Sequence, residues 1–512
     1  VGFGLVLLSD LARRWVEIDF WYTNRGLLPN HTVLWRPPAP RTFSLFFGVS
    51  NADEAHFGFA LCGLVYLAFL LGYRARLVQV LALLARVSLN TRLAVLENGG
   101  DMVMDLLCLL TLPLPLGARF SLDAVGRARR DRKLGKSSDP WLRQPVHSIA
   151  VLALLLQFSI VYLFNAAAKN GEAWRDGTAV YYALHLDKHA TALGVWMREE
   201  LPLSAIRGLS WSVLGTEWLG FALIISPFFL RATRLLAVFV LPPLHLGFAL
   251  GLNLGGFSPA MMAFFPLLLR AEHWDWLERR WGPALAPARD RAVAVAESFL
   301  ARVRHRPEGP ISVWRRSFLE TATLVVLVAI VLEVLNDNTP VPKALRLHQP
   351  QWAKAVIEYP RILQGWRMFA PDPPRIDSMI HVDATTAAGE RVDPYNEVAS
   401  AQKFPSGRVV PAHMDQSQFF VMYSDRIPNV NYGAYRQAFS EWLLDYPRRT
   451  GRKEDCLVEY EVYYVSDRTP PPGTTADPTP LERTSFMSYR VPHDGPCQPL
   501  RSKRESPPVA SQ

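Results

Sequence analysis

Apolar residues fill long blocks over the first two thirds of the chain, separated by short polar connectors, and the blocks stop near Pro340. Those of spanning length or near it run Ala55 to Leu71, Leu77 to Leu96, Met102 to Leu116, Val146 to Ala168, Leu209 to Leu230, Leu235 to Leu254, Phe257 to Leu269 and Ser317 to Leu335. Crossing a hydrocarbon core takes about 20 helical residues, so the pattern predicts a mainly α, polytopic bundle of transmembrane helices. The blocks at Met102 and Phe257 are the shortest. The chain opens at Val1 inside a further apolar stretch that Asp10 and Arg13-Arg14 cut short. We read this as a first helix with its beginning clipped, which makes nine crossings; a trimmed signal peptide is the rival explanation.

Past Pro340 the pattern changes. Ala344 to Gln364 is loosely helical in spacing, whereas Ser378 to Asp383 and Leu457 to Val465 alternate as half-buried strands do, with a turn at Ala388-Gly389-Glu390. The expected organisation is a transmembrane domain over residues 1–336, a mixed α/β domain over 337–500 and a disordered tail over 501–512.

Charge settles how the bundle is threaded. The formal charge is +9, but Lys and Arg concentrate in alternate connectors: Tyr73-Arg74-Ala75-Arg76, Arg127 through Lys136, Arg231-Ala232-Thr233-Arg234, and Arg270 to Arg316. By the positive-inside rule these face the cytoplasm, which explains the basic balance without nucleic acid. Asn98-Gly99-Gly100-Asp101, the loop starting at Lys169 and the C-terminal domain then lie outside it. The expected location is a cell or inner membrane with an extracytoplasmic C-terminal domain. Cys62 and Cys108 lie in apolar runs; Cys456 and Cys497 fall in the exported part, where a disulfide is permitted.

Candidate chemistry begins at Lys169, where the longest apolar run ends in Lys169-Asn170-Gly171-Glu172-Ala173-Trp174. Desolvation there disfavours the ammonium and makes a lysine a base or nucleophile, although lysines also end membrane helices simply by reaching the interface. Arg86, Asp105, Glu217 and His245 are ionisable groups inside apolar runs, each costly in lipid, so each must pair or line a cavity. Arg86 has Asp105 or Glu217 as partners. Asp101 suits a capping role after Asn98. Trp366-Arg367-Met368-Phe369-Ala370-Pro371-Asp372-Pro373 reads as a domain-joining knot of aromatics and prolines. No phosphate loop, dinucleotide fingerprint, metalloprotease motif or zinc-spaced cysteine pair occurs, and no metal site is expected.

Taken together, Phe20-Trp21-Tyr22-Thr23-Asn24-Arg25-Gly26, Asn98-Gly99-Gly100-Asp101, Phe120-Ser121-Leu122-Asp123, Tyr162 through Trp174, Glu217, His245 and the knot at Trp366 resemble one family. It is the bacterial HTTM (horizontally transferred transmembrane domain) proteins, with the vitamin K-dependent gamma-carboxylase as their animal relative. The resemblance implies that Lys169 is the base that deprotonates a reduced vitamin K-like quinone, and that an exported peptide or protein is carboxylated on a glutamyl side chain, a lyase-type reaction. Asn98, Asp101, Arg86, Asp105, Trp174, Glu217 and His245 are the candidates for a substrate cavity. At Asn90-Thr91-Arg92 the chain lacks the histidine-containing pattern of the carboxylase. Two other readings stand beside this one: a non-catalytic membrane anchor whose tail binds a partner, and a transporter with Arg86, Glu217 and His245 along its path.

Overall fold

A computed structural model describes residues 1–35, 41–135, 146–303, 312–399, 417–474, 481–492 and 497. They form two compact units, one of Val1–Thr23, Pro37–Leu184 and Ala190–Pro373, the other of Asn24–Arg36, His185–His189 and Pro374–Gln512. The expected disordered tail lies outside the described residues. So do Lys136 and residues 304–311 of the basic connectors.

The first unit is helical. Its longer helices are α1 (Gly2–Trp15), α2 (Ala52–Leu71), α3 (Ala75–Arg92), α4 (Gly99–Leu110), α5 (Leu122–Lys133), α6 (Ile149–Ala168), α7 (Leu203–Ile225), α8 (Leu230–Gly251), α9 (Phe257–Phe264), α10 (Ala271–Arg302) and α11 (Val313–Asp337). Every apolar block of the sequence carries a helix, although Met102 to Leu116 leaves it after Leu110 and Leu209 to Leu230 after Ile225. Five of these helices, α2, α6, α7, α8 and α11, are long and apolar enough to cross a membrane. Helix α4 is twelve residues, about 18 Å, too short for a hydrocarbon core of ~30 Å, and most of its residues are buried. Even with a 3-10 turn continuing to Leu268, α9 remains short.

What holds α1, α3 and α4 together is charge. Asp10 on α1 accepts from Arg14 at 2.8 Å and from Arg86 of α3 at 3.0 Å, while Asp101 on α4 accepts from the same two arginines at 2.6 and 2.5 Å. Arg86 also lies 3.2 Å from Asp105. Arg13 closes on Asp10 at 2.6 Å, so three guanidiniums answer three carboxylates. Neutral groups take up further bonds: Asn90 donates to Asp105 and Glu97, Tyr22 accepts from Arg14, and Asn98 forms a capping box with Asp101 at the start of α4. A buried carboxylate is tolerable only when it is paired and hydrogen-bonded in this way.

The basic connectors meet at one end of this bundle. Asp123 accepts from the backbone N–H groups of Arg74 and Ala75, tying the α2–α3 turn to the start of α5. Helix α10 lies against the same connectors, Phe299 on Tyr73, Trp274 on Phe120, Asp275 with Arg119 and Glu272 with Arg231. The residues from Asn338 to Pro373, expected in the terminal domain, instead pack within the helical unit. Asn338 donates to the Gln364 carbonyl, Arg361 pairs with Glu97, and the short helix Gln351–Glu358 packs on α11.

The second unit is an antiparallel sheet in the order β3-β2-β1-β4-β5, with β1 Ile376–Thr386, β2 Arg391–Asp393, β3 Val398–Ala399, β4 Leu457–Arg468 and β5 Glu482–Arg490. Both alternating stretches of the sequence fall inside strands, β1 and β4. Ile380, Val382 and Ala384 of β1 are buried, with Tyr395, Phe420, Phe439 and Trp442 in the same unit's core. Lys188 donates to Asp425 at 2.6 Å, and Cys456 is disulfide-bonded to Cys497.

Replacing Arg86 with Leu removes the one guanidinium that reaches all three aspartates. We expect a loss of about 3–5 kcal/mol, the cost of leaving buried charge without its partner. Arg13→Leu, at the partly exposed rim of the network, should cost no more than about 1 kcal/mol. Thermal unfolding of the purified protein checks both, and equal midpoints for the two variants would contradict the network's role.

Candidate functional site

Over the last two turns of α6 the polar residues Tyr162, Asn165 and Lys169 follow one another at spacings of three and four, which places them on one helix face. That face borders a cavity of about 300 Å³ inside the first unit. Trp174, Glu217 and His245 line it too, with Met368 and Phe369; most of the remaining lining is aliphatic, from α7, α8 and α9.

The helix ends where it does because Lys169 leaves helical geometry and an Asn170-Gly171 turn follows. Gly171 is required there: a Cβ would sit 2.1 Å from the Asp372 carboxylate. The same carboxylate accepts from the Glu172 and Ala173 N–H groups at 3.2 and 2.9 Å and so caps the short helix Glu172–Arg175. Three more bonds close the clasp. Gly171 N–H donates to the Pro371 carbonyl, Trp174 Nε1 to the Phe369 carbonyl and Met368 N–H to Asn165 Oδ1, at 3.0, 2.9 and 2.9 Å. Phe369 holds a φ of +56°, a conformation that a bulky residue adopts only when its surroundings impose it. The knot at Trp366 is thus a clamp on the Lys169 turn.

Lys169 Nζ donates to both carboxylate oxygens of Glu217, at 2.6 and 2.7 Å, and stands 5.1 Å from the centroid of the Trp174 ring. The side chain is only 3% exposed. Burial lowers its proton affinity from the ordinary lysine range, and the Glu217 carboxylate pulls it part of the way back. Glu217 reaches it because α6, α7 and α8 approach closely at Gly220, where a Cβ would meet Leu241 at 2.8 Å and Tyr162 at 3.2 Å.

Further along the cavity wall, Tyr162 Oη and His245 Nε2 are 2.7 Å apart. His245 Nδ1 is buried without a partner among the described residues. Helix α8 runs through Pro242 and Pro243, which cannot donate backbone hydrogen bonds, and Pro243 itself lines the cavity.

Of the residues singled out in the sequence, Lys169, Trp174, Glu217 and His245 come together here. Arg86, Asn98, Asp101 and Asp105 do not line this cavity; they belong to the network between α1, α3 and α4. Arg86 takes Asp105 as a partner, and Glu217 goes to Lys169. Asn165 and the Met368 to Asp372 clamp escape sequence reasoning. A neutral amide inside an apolar run was the available signal for Asn165. Among the described residues no group of three or more His, Cys, Asp or Glu side chains is placed to hold a metal ion. Comparison with protein-family models, curated proteins and solved structures finds no match in any of the three.

Glu217 holds the proton on Lys169, so Glu217→Gln should let the amine lose it at lower pH. Competitive acylation across a pH series, with exposed Lys343 as internal reference and peptide mass spectrometry as readout, measures this. The Lys169 labelling midpoint should move down in the variant; a midpoint that stays put or rises would show that the pair does not govern the amine.

Proposed function

We propose that the protein is an integral membrane enzyme of the HTTM and gamma-carboxylase-like class, in which Lys169 takes a proton from a lipid-soluble hydroquinone held in the cavity. One observation carries this reading: a lysine amine, almost wholly removed from water, at the edge of a mostly apolar cavity, beside a carboxylate able to accept its proton. An ammonium cannot act as a base. Transfer of its proton to Glu217, within hydrogen-bond reach, leaves a neutral amine, and burial lowers the cost of reaching that uncharged pair. Trp174 faces the amine and, with the clamp from Phe369 and Asp372, fixes where it points. Tyr162 and His245, with Asn165, Ser212 and Thr216, supply the other polar groups in a mostly apolar wall. A bound hydroquinone would supply, with oxygen as oxidant, the strong base needed to remove a glutamyl γ-hydrogen ahead of carbon dioxide capture, and the part of this chain's Lys169 would be to take the hydroquinone proton.

The same reading places the arginine-rich end of the bundle in the cytoplasm, Lys169 at the outer face and residues 374–512 extracytoplasmic. Supporting it are the gathering of basic connectors at one end and the Cys456–Cys497 disulfide, which belongs in an oxidising compartment.

In proteoliposomes supplied with a reduced naphthoquinone, Lys169→Ala should lower hydroquinone oxidation by about 100-fold or more while the protein still inserts, with a lower unfolding midpoint because Glu217 loses its partner. Undiminished turnover in that variant removes the proposed base, and absence of turnover in the parent favours the anchor reading instead. Protease protection in sealed vesicles of known orientation tests the threading. Cleavage within residues 374–512 from the cytoplasmic side contradicts it.

A further inference from the structure

Asn165 sits one helical turn before Lys169 on the cavity face of α6, with 5% of its surface exposed. Its amide cannot be turned either way around. The Met368 backbone N–H is a donor only, and it lies 2.9 Å from the side-chain oxygen, so that oxygen is Oδ1 and the amino group is Nδ2. No hydrogen bond involves Nδ2 among the described residues. An amide donor that no protein group answers, on a residue lining a mostly apolar cavity, is left for an occupant of that cavity to accept.

We infer that Asn165 is the specificity-determining residue of the cavity, presenting amide hydrogens that select an apolar occupant bearing a hydrogen-bond acceptor, a carbonyl or an oxyanion, over a hydrocarbon of the same shape. This rests on the reading that the cavity takes a lipid-soluble molecule. The strained Phe369 backbone acquires a purpose, since the segment that holds Trp174 through the Phe369 carbonyl also orients the amide through Met368 N–H. Two donors of different kinds then flank one end of the cavity, the amide of Asn165 and the amine of Lys169. A ligand oxygen placed between them is bound before any proton moves and is stabilised further as negative charge develops on it. Selection is strong in this direction, because a ligand without the oxygen leaves the amide unpaired.

The test measures equilibrium binding of two tritiated probes, 2-methyl-1,4-naphthoquinone and 2-methylnaphthalene, to the full-length protein in nanodiscs. The parent protein should prefer the quinone by about tenfold or more. Asn165→Asp is the informative variant: one carboxylate oxygen still accepts from Met368 N–H, so the clamp is preserved, while the hydrogens offered to the ligand are lost. It should bind the quinone at least about tenfold more weakly and leave the hydrocarbon within about twofold, and Asn165→Ala should likewise collapse the preference. Quinone affinity unchanged in both variants overturns the inference while leaving the cavity's ligand reading intact. A parent protein that binds neither probe overturns both.

Discussion

The structure depends on one constraint: a charge placed inside an apolar bundle must be answered where it stands. Water cannot do it, and an isolated ion in a low-dielectric interior is too costly to keep. Besides the buried Arg361–Glu97 pair, two assemblies among the described residues meet this demand. Asp10, Arg13, Arg14, Arg86, Asp101 and Asp105 cancel one another between α1, α3 and α4, and Lys169 and Glu217 cancel between the end of α6 and the middle of α7. The first assembly fixes three helices, among them the short α4, which is too brief to be held by length in a bilayer. The second leaves an ion pair at the wall of a cavity.

A second constraint follows from the first. An ion pair in such a place works only if its partners are held, yet the Lys169 turn is a loop and has little stiffness of its own. The residues from Met368 to Asp372 supply it by backbone hydrogen bonds and by a carboxylate that fills the space a side chain on residue 171 would need. Packing of a segment some two hundred residues away in sequence thereby sets the position of a single amine.

The helical blocks were legible because apolar length is a local property, and Lys169, Glu217 and His245 were legible because ionisable groups stand out in such blocks. Partner choice was not. Arg86 had two candidate acids, and nothing in the spacing said that Glu217 was already taken by Lys169. The Trp366 to Pro373 segment stood out as a domain-joining knot, but its partner did not: each of its bonds to the Lys169 turn has a backbone group on one side, which leaves no residue-type signature for the pairing. The same cause hid the boundary at Pro373, where a stretch of mixed composition belongs to the helical unit through Asn338 and Arg361 rather than through hydropathy.

The two charge assemblies also differ in what they permit. In the network between α1, α3 and α4 every cation is an arginine, whose guanidinium keeps its proton; Asp10 and Asp101 are each fixed by several donors, and Asp105 by Asn90 and the nearby Arg86. At the cavity the cation is a lysine, which can give its proton up, and both oxygens of its partner accept from the same nitrogen. Moving one proton from Nζ to Oε1 keeps a hydrogen bond and removes two buried charges together. Of the two assemblies, this is the one that borders an open volume, so its proton is the one within reach of an occupant.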